Sequence, residues 1–198
     1  MVRDLLDQPQ PAYIFKICLL GAAAVGKTCI CRRLCFDTFD ANTKLTIGID
    51  FYTYNLPIII NNGEKESFIR LSIWDFGGQE QFKKLFHYYI NGVNGIFVAF
   101  ELINLQSLIN LDWWYDQLAE LGFDKVPKIV IGTKQDLVES TDPKAKVNDL
   151  VIRQFLKKHG ENDFLKTSSK ENVNILNSFK RMTAKILDDH NLPYETLI

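Results

Sequence analysis

Residues 21 to 28 read Gly-Ala-Ala-Ala-Val-Gly-Lys-Thr, a full match to the phosphate-cradling pattern G-x-x-x-x-G-K-[ST]. The eight residues before this loop, 13 to 20, are rich in β-branched and aromatic side chains, which favours a strand. Residues 29 to 34 can continue from the loop as a helix. A phosphate-binding loop requires this order of strand, glycine loop and helix, so the octet predicts a nucleotide ligand.

The residue types of the loop determine what it can hold. Gly21 and Gly26 lack a Cβ, so the backbone can turn sharply and direct its N–H groups at phosphate oxygens, helped by the positive end of the following helix. Lys27 supplies a point charge for the β and γ phosphates, and Thr28 offers a hydroxyl to Mg²⁺, which prefers oxygen ligands. We therefore expect Mg²⁺ as the cofactor. The alternative, a glycine turn with a solvated lysine, is disfavoured by the flanking strand and helix.

The composition predicts a soluble single-domain protein, because 46% of the 198 residues are hydrophobic and can form a substantial core. Lys and Arg number 23 against 24 Asp and Glu, so we expect neither nucleic acid nor an anionic membrane as a primary ligand. No apolar run approaches the roughly 20 residues of a membrane span. The four cysteines lack the spacing of a zinc site and are expected to be small buried thiols in the reducing cytoplasm.

Apolar strand-like runs alternate with helix-like stretches, which is typical of a mostly parallel sheet covered on both faces. Asn61-Asn62-Gly63 is a hairpin signal between the second and third strands, so we expect one antiparallel edge strand. The sequence thus predicts a three-layer α/β fold with a six-stranded sheet and about five helices. Predicted strands are 13–20, 50–60, 66–74, 94–101, 127–133 and 163–167, and predicted helices are 27–36, 81–91, 105–121, 145–159 and 171–189. Residues 1–12 are assigned to an N-terminal extension, 13–189 to the nucleotide-binding domain and 190–198 to a short C-terminal tail.

Two further motifs carry groups suited to the phosphates and the metal. Residues 74 to 80 read Trp-Asp-Phe-Gly-Gly-Gln-Glu at the end of the third strand, where Asp75 can reach Mg²⁺ through water and the N–H of Gly78 can bond the γ-phosphate. Thr46 lies in the polar segment after the first helix and can add a second hydroxyl to the metal.

Two other motifs carry groups suited to a guanine base. Residues 133 to 136 read Thr-Lys-Gln-Asp at the end of the fifth strand, and the Asp136 carboxylate can accept hydrogen bonds from N1–H and the 2-amino group of guanine. Adenine lacks both donors, and an unpaired buried carboxylate is costly. Residues 167 to 170, Thr-Ser-Ser-Lys, follow the sixth strand and can offer a backbone N–H to the guanine O6. All four motifs fall where α/β sheets place their ligand sites.

With these motifs in place, residues 12 to 188 resemble the small GTPases of the Ras superfamily, and they look most like the Rab group in three segments: 47–51, Trp74-Asp75 and 86–95. The resemblance implies the small G-protein fold of phosphate-loop NTPases. It also implies that Phe39 stacks on guanine, that Thr46 senses the γ-phosphate in switch I, that Gln79 in switch II orients the attacking water, and that Lys134 packs its stem along the base.

The candidate site is therefore large. Catalytic candidates are Gln79, Thr46 and Lys27, and metal candidates are Thr28, Thr46 and, through water, Asp75. Nucleotide-binding candidates are Gly21, Ala22, Ala23, Ala24, Val25, Gly26, Lys27, Thr28, Cys29, Phe39, Thr46, Asp75, Gly78, Thr133, Lys134, Asp136, Leu137, Ser168, Ser169 and Lys170.

These residues predict a guanine-nucleotide switch that binds GTP and GDP and hydrolyses GTP slowly, with functions of the Rab type in trafficking or signalling. We expect a monomer whose partners are effectors, an exchange factor and a GTPase-activating protein. The chain ends without the C-terminal cysteines that prenylated Rabs carry, so no covalent membrane anchor is expected. Ala24 in the loop, Leu45 and Thr133 depart from the usual Rab residues, Ala23 and Ala24 both differ from the glycines of Ras, and Phe76-Gly77-Gly78 resembles the Arf group. A GTP-binding scaffold with negligible hydrolysis and, more remotely, a phosphate-loop kinase are the alternative functions.

Overall fold

The structure, a computed structural model, describes residues 9–60 and 65–198, so the predicted hairpin signal at 61–63 lies outside the described residues. The described strands are β1 (Tyr13–Gly21), β2 (Ile49–Ile60), β3 (Lys65–Phe76), β4 (Gly95–Glu101), β5 (Lys128–Thr133), β6 (Phe164–Lys166) and β7 (Thr196–Leu197). The helices are α1 (Lys27–Phe36), α2 (Glu80–Lys83), α3 (Phe86–Tyr89), α4 (Leu105–Ile109), α5 (Leu111–Glu120), α6 (Asp149–Lys158) and α7 (Ile175–Asp189), with a 3₁₀ turn at Gln135–Leu137.

These strands form one mixed sheet in the order β6-β5-β4-β1-β3-β2-β7. The pairs β1–β3, β1–β4, β4–β5 and β5–β6 are parallel, while β2 is antiparallel to β3 as predicted. The strand count was wrong, because the described residues contribute seven strands rather than six. The additional strand, β7, pairs antiparallel with residues 58 and 59 of β2, so β2 is not a free edge over its whole length.

The central strands are apolar on both faces because helices cover both sides of the sheet. Every residue of β5 is buried, and in β4 only the last residue, Glu101, is not. One apolar layer packs the sheet against α1 and α7, with Phe97 and Phe179 in edge contact at 4.9 Å between ring centroids. The other packs it against α3, α4, α5 and α6. The predicted three-layer α/β architecture is confirmed.

The helices occupy the five predicted regions, but two of these regions are divided. Residues 81–91 contain α2 and α3, separated by a turn in which the N–H of Leu85 donates to the carbonyl of Phe82 at 3.0 Å. Residues 105–121 contain α4 and α5. Helix α6 begins later than predicted because the Asn148 side chain accepts a hydrogen bond from the N–H of Leu150 at 2.8 Å, which caps it at that point.

The segment that follows α7 folds back onto the sheet. Leu192, Tyr194 and Leu197 pack against the apolar layer that contains α7. The N–H groups of Glu195 and Ile198 donate to the carbonyls of Ile59 and Pro57, both at 3.0 Å. These contacts hold β7 at the end of β2 that is remote from the phosphate loop, since Ile58 pairs with Ser67 whereas Ile49 pairs with Phe76.

Candidate nucleotide-binding site

A cavity of about 440 Å³ lies at the carboxyl ends of the parallel strands, between the phosphate loop and the loops after β5 and β6. This is the edge at which open α/β sheets bind ligands. The predicted residues that line it are Ala23, Ala24, Gly26, Lys27, Thr28, Cys29, Phe39, Thr46, Gly78, Gln79, Thr133, Lys134, Asp136, Leu137, Ser169 and Lys170. The predicted residues that do not line it are Gly21, Ala22, Val25, Asp75 and Ser168.

The phosphate loop has a backbone that explains its sequence. Gly26 has a φ of 101° directly before α1, and a Cβ on Gly21 would lie 2.2 Å from the carbonyl oxygen of Ala99. Glycine is therefore required at both places. Ala24 also adopts the left-handed region, with a φ of 63°, at a position where glycine is the unstrained residue.

The ammonium group of Lys27 is held over this loop. Its Nζ donates to the carbonyl oxygens of Gly21 at 3.0 Å and Ala22 at 2.8 Å, and the residue is 5% exposed. Burial lowers the pKa of Lys27 to about 8, while the carboxylate of Asp75 acts in the opposite direction. A phosphate beside the ammonium would act in the same direction as Asp75, so the geometry favours an anionic ligand.

Three oxygen-bearing side chains converge beside the loop. The Thr28 hydroxyl donates to Asp75 Oδ2 at 2.5 Å and lies 2.8 Å from the hydroxyl of Thr46, which itself is 3.3 Å from Asp75 Oδ2. The other carboxylate oxygen, Oδ1, is buried and has no hydrogen-bond partner among residues 9–60 and 65–198. Burial raises the pKa of Asp75, opposed by Lys27 and by the two hydroxyls. A hard cation such as Mg²⁺ fits this set of oxygens and the unpartnered Oδ1.

The segment after β3 packs directly on the phosphate loop. A Cβ on Gly78 would lie 2.3 Å from both Ala22 C and Ala23 N, and the N–H of Gly77 donates to the carbonyl of Gly48 at 2.8 Å. Gln79 lies at the start of α2 and lines the cavity. Farther along α2, Lys83 Nζ lies 4.2 Å from the ring of Trp113 on α5, so this segment contacts both the loop and α5.

The opposite end of the cavity carries the groups predicted to recognise a base. Asp136 Oδ1 accepts a hydrogen bond from the Ser168 hydroxyl at 2.6 Å, which orients the carboxylate. Lys134 Nζ donates to Glu101 Oε1 at 2.7 Å. The hydroxyl of Thr133 lies 2.6 Å from the carbonyl oxygen of Val25, so this strand end is bonded to the phosphate loop itself.

Sequence reasoning missed part of the cavity wall and several supporting contacts. The segment between α1 and β2 contributes not only Phe39 and Thr46 but also five residues that were not predicted, namely Asp40, Ala41, Thr43, Lys44 and Leu45. Lys44 and Leu45 belong to the stretch quoted for Thr46 but were given no role, and no motif includes the other three. Glu101, the partner of Lys134, was also missed, and its place at the end of a buried strand is the one signal that could have found it.

Comparison with known proteins agrees with this geometry. The sequence model of the Ras family matches residues 16–188 of the chain. The chain belongs to the Ras family of small GTPases. The predicted resemblance, and with it the type of fold, is confirmed.

This Ras-family chain is similar to several curated proteins over most of its length. It is 31% identical to the Ras-related protein Rab-1A of Dictyostelium discoideum over 178 residues, which covers 90% of the chain and 83% of that protein. It is 32% identical to the Ras-related protein RABD2b of Arabidopsis thaliana over 183 residues, with the same shares of 90% and 83%. It is 30% identical to the GTP-binding protein YPTM1 of Zea mays over 174 residues, 88% of the chain and 78% of that protein.

An aromatic surface lies beside two of the segments that line the cavity. Phe51 and Trp74 are in edge contact at 4.7 Å between ring centroids, and Tyr89 lies 5.9 Å from Trp74, which forms an aromatic surface beside the segments around Thr46 and Gly78. Phe51 is 61% exposed. Within residues 9–60 and 65–198, no helix combines the length and the apolar character needed to cross a membrane.

Proposed function

We propose that this Ras-family protein is a guanine-nucleotide switch that binds GTP or GDP with Mg²⁺ and hydrolyses GTP slowly. The observation that carries the proposal is the convergence of Thr28, Thr46 and Asp75, which come from α1, from the segment before β2 and from β3. A metal and a γ-phosphate held there would tie the segment around Thr46 and the segment around Gly78 to the phosphate loop. Loss of the γ-phosphate would release both segments, which is how a partner distinguishes the two states.

The chain's own residues have distinct roles in this proposal. Lys27 neutralises charge on the β and γ phosphates, the N–H of Gly78 bonds the γ-phosphate, and Gln79 orients a water for attack. Mg²⁺, when bound, would supply further neutralisation of the phosphate oxygens. In hydrolysis the water oxygen bonds to the γ-phosphorus as the bond to the β–γ bridging oxygen breaks, and the water protons pass to the products. We expect a slow intrinsic rate, because in Ras-type enzymes an arginine supplied by a partner speeds turnover about 10³- to 10⁵-fold.

Support for the base comes from Asp136 and the loop that follows β6. Phe39 and Lys134 also line the cavity and can enclose the ring, and Ser169 and Lys170, which line it too, can offer a backbone N–H to O6. Leu137 adds an apolar contact there. An ATP-dependent kinase is the weaker alternative because the Asp136 carboxylate would meet no donor pair on adenine.

The proposed partners are effectors, an exchange factor and a GTPase-activating protein. The aromatic surface of Phe51, Trp74 and Tyr89 lies next to the two nucleotide-dependent segments and supports a partner contact that reads the nucleotide state. The names of two relatives place those proteins in the Rab group, which favours a role in trafficking. The free thiols of the four cysteines support a cytoplasmic location.

The proposal is tested at Asp136. In Asp136→Asn the two charged hydrogen bonds to guanine are lost, each worth about 1.5–3 kcal/mol, so GDP should bind roughly 10²- to 10⁴-fold more weakly. The amide suits the carbonyl of xanthine, so XDP should gain affinity. Isothermal titration with GDP and XDP measures both, with Asp116→Asn, an exposed position on α5, as the matched control. Unchanged GDP affinity in Asp136→Asn would refute the assignment of the base.

Hydrolysis needs a separate measurement. A single-turnover assay with GTP and Mg²⁺ on the wild type distinguishes the slow GTPase from a GTP-binding scaffold. Release of phosphate at a measurable first-order rate supports the enzyme. Bound GTP that stays intact over the lifetime of the complex supports the scaffold.

A further inference from the structure

Arg33, on the last turn of α1, reaches across to the loop that follows β6. Its Nε donates to the carbonyl oxygen of Ser169 at 2.7 Å, and its Nη2 lies 3.3 Å from the carbonyl oxygen of Lys170. The Arg33 side chain is only 13% exposed, and its bond to Ser169 is partly buried, whereas the longer bond to Lys170 is exposed. Hydrogen bonds with a charged donor are stronger than neutral ones. The two carbonyls belong to the loop that borders the base end of the cavity.

The loop is held from two sides. On its inner side Ser168 exchanges backbone hydrogen bonds with Val173 at 3.1 and 2.9 Å, and the Ser168 hydroxyl donates to Asp136. Ser169 and Lys170, which line the cavity, are anchored by Arg33 on the other side. Because the C=O and N–H of a trans peptide point in opposite directions, a bond to the Ser169 carbonyl also fixes the direction of the Lys170 N–H.

Arg33 is itself fixed to the start of the segment that carries Phe39. Its Nη1 donates to the Asp37 carboxylate at 2.8 Å and to the Asp37 carbonyl at 2.9 Å. Asp37 ends α1 in the left-handed conformation, with a φ of 51°, two residues before Phe39. The Asp37 carboxylate is 80% exposed, so the ion pair contributes little by itself. The guanidinium of Arg33 therefore connects the loop after β6 with the start of the segment that carries Phe39.

We propose that Arg33 is a positioning residue for the base: it holds the Ser169–Lys170 peptides in the orientation that recognises the guanine O6, and so lengthens the residence time of the nucleotide. This inference rests on the proposed guanine-nucleotide function and extends it to a residue outside the cavity wall. A purely structural role would stabilise α1 against the loop without distinguishing one base from another.

The test compares GDP with 2-aminopurine riboside 5′-diphosphate, which lacks O6 and with it the N1–H, so each variant is compared with the wild type for the same nucleotide and the loss at Asp136 cancels. Dissociation rates of both nucleotides are measured by displacement for the wild type, Arg33→Ala and Arg33→Lys. We expect Arg33→Ala to release GDP about tenfold faster or more, the factor for losing one hydrogen bond from a charged donor. The analogue should be released with a much smaller change, because it has no O6 for the loop to bind. Arg33→Lys keeps the positive charge but lacks the planar pair of donors, so its GDP dissociation rate should lie between those of the wild type and Arg33→Ala.

Arg32→Ala is the matched control, since Arg32 is the neighbouring arginine on the same helix and donates no hydrogen bond to any residue that the structure describes. It should release both nucleotides at the wild-type rates. Equal acceleration of GDP and the analogue in Arg33→Ala, or no acceleration, overturns the inference. Should Arg33→Ala fail to fold, the dissociation rates of GDP and the analogue are compared in Arg33→Lys, and equal acceleration or no acceleration again overturns the inference. A wild-type protein that does not bind GDP would instead refute the proposed function and is recognised before any variant is measured.

Discussion

Thr133 links β5, β4 and the phosphate loop through a single buried hydroxyl. The side-chain oxygen lies 2.6 Å from the carbonyl oxygen of Val25 and 3.0 Å from that of Phe100, and the residue is 3% exposed. One hydroxyl has one proton to donate, so the two carbonyls share it. Thr133→Val keeps the branched shape and removes this donor, leaving at least one buried carbonyl without its partner.

The expected loss follows from that count. A buried acceptor left unsatisfied costs about 1–3 kcal/mol, so the free energy of unfolding of Thr133→Val should fall by about that amount. For a chain of this size each kcal/mol lowers the melting temperature by about 2–4 °C. Because Val25 is part of the phosphate loop, GDP should also dissociate faster than from the wild type.

Urea unfolding at several GDP concentrations and fixed Mg²⁺, extrapolated to zero GDP, measures the first quantity, because bound ligand adds to apparent stability and a change in GDP affinity would otherwise be included. Thr141→Val is the matched control, because the Thr141 hydroxyl donates to the Leu137 carbonyl at 2.7 Å where solvent can replace it. Thr133→Ser restores the donor and should recover most of the loss. A change below about 0.5 kcal/mol in Thr133→Val, the range of ordinary surface substitutions, would show that the hydroxyl does not support the loop.

Three further substitutions probe other parts of the site. Gln79→Leu should lower single-turnover GTP hydrolysis at least about tenfold while GDP and GTP affinities stay close to wild type, since the lost contact belongs to the transition state; equal rates would remove Gln79 from the mechanism. Gly78→Ala places a methyl group 2.3 Å from Ala22 C, so it should weaken GTP binding and slow hydrolysis with little effect on GDP binding. The control Gly122→Ala has open space around its Cβ and should lower stability alone. Identical ratios of GTP to GDP affinity in the two variants would contradict this expectation. Ala24→Gly should raise the free energy of unfolding by up to about 1 kcal/mol, because it relieves an alanine in the left-handed conformation. Ala119→Gly in α5 should lower the free energy of unfolding by about the same amount. The urea midpoints of the two variants are compared, and a lower midpoint for Ala24→Gly than for the wild type would be evidence against strain at that position.

The layers of the fold were predictable because most strands can be recognised from their own consecutive residues. Residues 128–133 form an unbroken apolar run apart from Lys128 and Thr133, and such a run in an alternating chain predicts a central parallel strand. The seventh strand could not be found in the same way. Thr196–Leu197 is two residues long, and what makes it a strand is the edge of β2, which lies far away in the sequence.

In the candidate site, too, some residues were predictable from local sequence and others depend on distant contacts. Residues 21–28 and 133–136 were predicted as site residues from motifs, since each motif encodes its groups within a few consecutive positions. Phe39 came from the family resemblance alone, because nothing in its own neighbourhood distinguishes it. The contact of Arg33 with Ser169 spans 136 residues and becomes visible only when the fold brings α1 beside the loop after β6.

The position of Lys83 over the ring of Trp113 affects the tryptophan fluorescence of the chain. Of its three tryptophans, Trp114 is 1% exposed and packs edge-on against Phe86 in the core, while Trp74 has a lysine of the sheet over its ring, with Lys16 Nζ 3.6 Å from the centroid. The indole of Trp113, by contrast, has its charged neighbour on α2, four residues after Gln79. Departure of a cation from an indole face alters the emission of the ring. Unlabelled protein therefore carries its own fluorophore at the place where α2 meets α5.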